Sequence, residues 1–210
     1  MAKKQQADQA TIDAALQPNK ARMQAQYDAE VRGKIAEKFG VSNPMAQPNL
    51  DKITINVNMG RHLDGTKVPN NVKEAVLHTL TTITGQKPVL VAAKKSVSNF
   101  KVRAGYETSA IVTLRRDRMW HFMDRLINLT APRIKDFRGL NDKSFDRQGN
   151  YSMGLTEQGV FPEINMAEQS FTHGMNINFS FSNSTPAMSK YLLDELGMPF
   201  RKPVQKKVKK

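Results

Sequence analysis

Cysteine is absent from the 210 residues. That excludes a disulfide framework and thiolate metal sites, and it permits a reducing compartment. Long apolar runs are missing as well. None approaches the roughly 20 residues that cross a bilayer, and the opening "MAKKQQADQA" has no apolar stretch of a secretory signal. The expectation is a soluble, cytoplasmic protein with no membrane partner. Aromatic residues are sparse at 7%, yet a hydrophobic content of 39% still supplies a modest core. Acids are in short supply: 19 Asp and Glu face 32 Lys and Arg, a formal charge of +13. Such an imbalance points to a polyanionic partner, nucleic acid ahead of an acidic membrane surface.

Catalytic patterns are scarce too. His62, His78, His121 and His173 stand far apart, without ligand spacing, and read as surface or core histidines. No metal and no cofactor is expected, and no G-x-S-x-G, H-E-x-x-H or G-x-G-x-x-G occurs. The nearest approach to a phosphate loop is "GRHLDGTK" at 60–67, between a strand and a helix. A phosphate-cradling loop needs Lys followed by a hydroxyl that holds Mg²⁺. Here Thr66 precedes Lys67, Asp64 repels phosphate, and Pro69 removes a backbone donor at the helix entrance. The expectation is no enzyme; a nucleotide hydrolase remains the rival, requiring Mg²⁺-dependent turnover that Lys67→Ala abolishes.

What is present is charge in clusters. Residues 87–106, "KPVLVAAKKSVSNFKVRAGY", hold five cations and no acid; residues 115–147 hold nine cations against five acids; and 201–210 hold six cations. Lys94, Lys95, Lys101 and Arg103 are placed to neutralise phosphates. Phe100 and Tyr106 stack on bases or brace the loop, and residue type alone favours their being tucked into the core. Gly105 and Ser98 suit a mobile tip that orders on contact.

Periodicity supplies the fold. Met23, Tyr27, Val31, Ile35 and Phe39 stripe a first helix that stops at Gly40. "KITINVNM" at 52–59 alternates, with Ile53, Ile55, Val57 and Met59 on one face and Thr54, Asn56 and Asn58 on the other. Asn71 and Glu74 resemble a capping pair for a second helix ending at Gly85. Strands are expected over 89–95 and 108–116, the latter with Ala110, Val112 and Leu114 opposite Ile111, Thr113 and Arg115. Asp117 is the expected cap of a third helix, closed by Pro132. Residues 133–173 read as loop-rich. "MNINFSFS" at 175–182 alternates again, and Thr185–Pro186 announces a last helix. The fold class is α+β: an antiparallel sheet with helices on one face, its other face polar and open to RNA or simply to water. One domain over 20–203 is expected, flanked by a loose arm at 1–19 and a basic tail at 204–210. The tail suits either extra phosphate contact or a solubilising end.

Several stretches are more specific. "TGQKPVLVAAKKSVSNFKVRAGY", "VTLRRDRMWHFMDRLI", "PRIKDFRGL", "KSFDRQGNYSMGLTEQGVFPE" and "LLDELGMPF" resemble bacterial large-subunit ribosomal protein five, in order, from about residue 20 to 203. That family carries 5S rRNA into the central protuberance. The resemblance implies 5S rRNA contacts at Asn56, Gln86, Lys94, Lys95, Thr113 and Arg115, P-site tRNA contacts at Phe100, Lys101 and Arg103, and a bridge to small-subunit head protein thirteen through Arg133, Arg138 and Arg147. It also implies large-subunit rRNA and neighbouring large-subunit proteins as partners. The glycines of the bridging stretch would suit a contact that shifts. The family usually reads "N-M-G-V-G" after the first strand, whereas "VNMGRHLDGTKVPN" follows Ile55–Asn56 here, so Asn58 is the alternative counterpart, two residues along the same face. A free RNA-binding regulator is a second rival, which co-sedimentation with large subunits separates.

Overall fold

A computed structural model describes residues 20–169 and 171–201. The expected arm at 1–19 and the tail at 204–210 lie outside the described residues. Helix α1 runs through Arg22–Gln26, one π turn at Tyr27–Val31, and Arg32–Phe39. Its stripe Met23, Tyr27, Val31 and Ile35 is buried, and Gly40 ends it at φ 68°, a left-handed conformation that glycine adopts without a Cβ clash. β1 follows (Asn49–Asn58), then α2 (Asn70–Thr84), β2 (Val89–Ala92) and β3 (Glu107–Leu114). α3 (Arg116–Arg125) continues through a π turn at Leu126–Thr130 and a tight turn at Ala131–Arg133. β4 (Tyr151–Leu155), β5 (Met175–Ser182) and α4 (Pro186–Glu195) complete the chain.

The five strands form one antiparallel sheet in the order β2-β3-β1-β5-β4. Ile53, Ile55 and Val57 of β1, Ala110, Val112 and Leu114 of β3, and Ile177 and Phe179 of β5 share one core with the apolar stripes of all four helices. Burying each large side chain contributes roughly 1.5–3 kcal/mol, so the helices are held to this face alone. Tyr27 of α1 stacks on Trp120 of α3 with ring centres 5.6 Å apart, and its hydroxyl donates to the Pro48 carbonyl at 2.6 Å. The fold is α+β, as the alternation implies.

Four local expectations are corrected. β4 is a strand not expected within the loop-rich stretch: Tyr151, Met153 and Leu155 are buried in alternation, paired with Phe179, Ile177 and Met175. β2 stops at Ala92, three residues short, because the chain bends at Lys94 and Lys95. Asn71 and Glu74 do not cap α2. Pro69 occupies the position before its first residue, so Asn71 is already inside the first turn and no side chain caps the helix. Asp117 likewise lies within the first turn of α3, where it complements the helix dipole instead of capping it. At α4 the expected cap forms, with Thr185 Oγ1 accepting from the Met188 amide at 3.4 Å.

Candidate nucleic-acid interface

The outward positions of the strands are set by the same alternation that buries the inward ones. They are Thr54, Asn56 and Asn58 on β1, Ser109, Ile111 and Thr113 on β3, Asn176, Asn178 and Ser180 on β5, and Ser152 and Gly154 on β4. None of them is fully buried, and among the described residues no helix covers them. The strand registers align them in rows: Val89, Ile111, Asn56, Asn176 and Gly154 form one, and Thr113, Thr54, Asn178 and Ser152 the next. The carboxylate at the start of β3, Glu107, is paired with Lys73 at 2.7 Å. The face therefore offers short hydrogen-bonding groups and little opposition to an anion.

Asn56 sits mid-sheet, and its amide oxygen is shielded from solvent with no hydrogen-bond partner among the described residues. Asn58 is differently employed: its oxygen accepts from the Gly60 amide at 2.8 Å and shapes the turn after β1. Gln86, beyond the end of α2, donates its amide to the Thr113 carbonyl at 3.2 Å, which brings these two expected residues together. Arg115 follows β3 and is exposed. Lys94 and Lys95 are exposed beyond β2, at the opposite end of the sheet from Gln86 and Arg115. Cations thus stand at both ends of a neutral, amide-rich floor.

Beyond β2 the hairpin narrows to a tip. The Val97 amide donates to the Val102 carbonyl at 2.9 Å, and the Lys101 amide to the Ser98 carbonyl at 2.9 Å. Lys101, at φ 53°, and Arg103 are both exposed. The expectation that both aromatics are tucked into the core fails for Phe100, which is 72% exposed. Tyr106 braces the base of the hairpin, where Lys67 Nζ lies 5.0 Å from its ring centre. Phe100 sits in the single turn Ser98–Phe100 at the tip, away from the buried core.

Arg133, Arg138 and Arg147 are all exposed, on separate turns of the 133–150 stretch. This stretch is strapped down. The Leu140 amide donates to the Pro199 carbonyl at 2.8 Å, and the Arg201 amide to the Leu140 carbonyl at 2.9 Å. Gly139, at φ 97°, lets the segments approach so closely that an added Cβ would lie 2.7 Å from Arg201 backbone atoms. Asp146 accepts from the Gln148 and Asn150 amides at 2.9 and 2.7 Å. Together with the Asn150 side-chain amide, the largest influence, those bonds hold its carboxyl below the usual range. The glycine at 139 thus serves close packing within the chain.

The 60–67 loop is no phosphate cradle. Asp64 and Lys67 exchange backbone hydrogen bonds at 2.9 and 3.2 Å around Gly65, so the turn spends its own amides. Among the described residues no group of His, Asp or Glu could hold a metal ion, and no helix is long and apolar enough to cross a membrane.

The pattern described as Ribosomal protein L5 matches residues 43–103, and the pattern for the C-terminus of the same ribosomal family matches residues 107–200. The chain belongs to the ribosomal protein L5 family. The two matches meet in one sheet, the first supplying β1 and β2 and the second β3, β4 and β5. The large ribosomal subunit protein uL5 of Bdellovibrio bacteriovorus is 46% identical over 181 residues, 86% of this chain and 99% of that protein. Its counterpart from Dichelobacter nodosus is 44% identical over 181 residues, with the same shares. That of Natranaerobius thermophilus is 43% identical over 180 residues, 86% of this chain and 98% of that protein. As an L5-family member the chain is a structural ribosomal protein and not an enzyme.

Proposed function

We propose that this L5-family chain attaches 5S rRNA to the large ribosomal subunit through the open face of its sheet, in the bacterial cytoplasm. The observation that carries this reading is a sheet face rich in amides and hydroxyls, uncovered by any helix among the described residues, with cations at both ends. The unpartnered oxygen of Asn56 favours that residue over Asn58, whose oxygen is already engaged. Phosphate neutralisation by Lys94, Lys95 and Arg115 supplies affinity, while Asn56, Gln86 and Thr113 fix register by hydrogen bonds.

The hairpin tip is the second contact. Phe100, Lys101 and Arg103 meet P-site tRNA, the cations on phosphate and the ring on an exposed sugar or base. Arg133, Arg138 and Arg147 form the third, a bridge to the small-subunit head at protein thirteen. Large-subunit rRNA and neighbouring large-subunit proteins complete the surroundings. These partners attach to one folded unit over 20–203, the boundaries proposed for the domain.

The test is binding of transcribed bacterial 5S rRNA at increasing salt. If about five phosphates are neutralised at a slope near −0.7 each, affinity falls about 100-fold between 50 and 200 mM salt. A flat response contradicts the proposal.

A further inference from the structure

The open face is not uniform. Near β4 it sinks into a recess of about 480 Å³, bordered by Asn56, Asn176, Gly154, Arg61, His62 and His173 among others. Gly154 opens it. Its φ lies outside the left-handed range, and an added Cβ would meet nothing nearer than the Asn176 Oδ1 at 3.4 Å. Neither backbone geometry nor packing demands glycine there, and glycine weakens a strand. A glycine so placed marks a site where something else approaches the sheet.

The lining has a definite chemistry. Among the described residues no acid borders the recess, and Arg61 is its exposed cation. The side-chain amides of Asn56 and Asn176, cross-strand partners in one row with Gly154, each both donate and accept. Two shielded atoms of lining residues have no partner among the described residues, Asn56 Oδ1 and His173 Nε2. His173 is 6% exposed, and its Nδ1 lies 3.4 Å from the Gly174 carbonyl. Burial lowers its pKa, the larger influence, while that carbonyl opposes the shift, so the ring stays neutral near pH 7. His62 forms a wall, its ring centre 4.6 Å from that of Phe171. The ligand such a lining fits is flat, rich in both donors and acceptors, and anionic at one end.

We propose that this recess seats one unpaired nucleotide of the bound RNA, its base over Gly154 with its polar edge toward Asn56 and Asn176 and its phosphate toward Arg61. A duplex cannot enter such a hollow, because its bases are stacked inside; an unstacked base can. This inference rests on the proposal that the open face binds RNA, and it adds how one position of that RNA is selected.

The test uses the full chain, transcribed bacterial 5S rRNA, and the variants Gly154→Val and Asn176→Ala. Valine suits a strand and fills the hollow from its floor. Dimethyl sulfate, which modifies unpaired adenine and cytosine, and a reagent for unpaired uracil and guanine report each base. The expected result is one unpaired base shielded by the unsubstituted chain and exposed with Gly154→Val. Affinity then falls about tenfold with an unchanged salt slope. Asn176→Ala, at an exposed position, weakens the same shielding without filling the recess, so a folding defect in one variant does not decide the matter. Wild-type shielding and affinity in both variants, or no shielded unpaired base at all, overturns the recess. Loss of salt-dependent 5S rRNA binding in the unsubstituted chain overturns the RNA face itself, and the recess with it.

Discussion

Ile55 and Asn56 are covalent neighbours, yet Ile55 is 0% exposed against the helices while Asn56 faces outward between Ile111 and Asn176. The same division runs through β5, where Ile177 and Phe179 are buried and Asn176 and Asn178 are not. Because the side-chain period of a strand is two, one stretch of backbone supplies a core and, in the proposed function, a recognition surface at once. The inner face is held by the loss of apolar surface from water, which is tolerant of detail. The outer face, on the function proposed, works through individual donors and acceptors. That proposal assigns stability and recognition to different residues, which should separate under substitution.

Ile55→Ala should give the largest change in stability. Unfolding free energy should drop by about 2–5 kcal/mol in a denaturant titration, with RNA affinity of the folded fraction unchanged. A much smaller drop would mean that the inner face is not the packed layer.

His173 sits at the seam of the two faces and gives a pH signature. Burial, followed by the opposing Gly174 carbonyl and the unfavourable neighbourhood of His62, leaves its pKa lowered. The unfolded chain then binds the proton more readily, so the native state is at full stability above the ordinary histidine pKa. That stability is lost as pH falls through the ordinary value toward the lowered one. His173→Gln should flatten this part of a stability-versus-pH curve; an unaltered curve would show that the ring titrates freely.

The hairpin tip should show the smallest effect on stability. Phe100→Ala, or Lys101→Ala combined with Arg103→Ala, should shift unfolding by less than about 0.5 kcal/mol, while tRNA binding weakens and 5S rRNA binding persists. Equal losses for both RNAs would show that the surface is divided differently.

Much of this division is legible in the chain itself. The alternation of Ile53, Ile55 and Val57 with Thr54 and Asn56, the stripe of α1, and the Thr185 cap are local patterns, and local physics decides them. β4 is hidden because five residues containing Gly154 have little strand preference of their own; pairing with β5 makes the strand. The row from Gly154 to Asn56 is invisible for a related reason. It joins residues about a hundred positions apart, and only the registers bring them into line. Phe100 misleads because exposure at a loop tip depends on what lies beneath it, which residue type does not reveal. At 133–150 the chain gives no sign of its own closeness: Gly139 is a point of close contact with the backbone of Arg201, some sixty residues on.

The most direct measurement is the affinity of Asn56→Ala for 5S rRNA at fixed salt, with thermal unfolding followed on the same sample. A weakening of roughly 1–3 kcal/mol with unfolding essentially unmoved is the predicted result. Affinity equal to that of the unsubstituted chain would contradict the claim that the sheet's uncovered side holds the RNA.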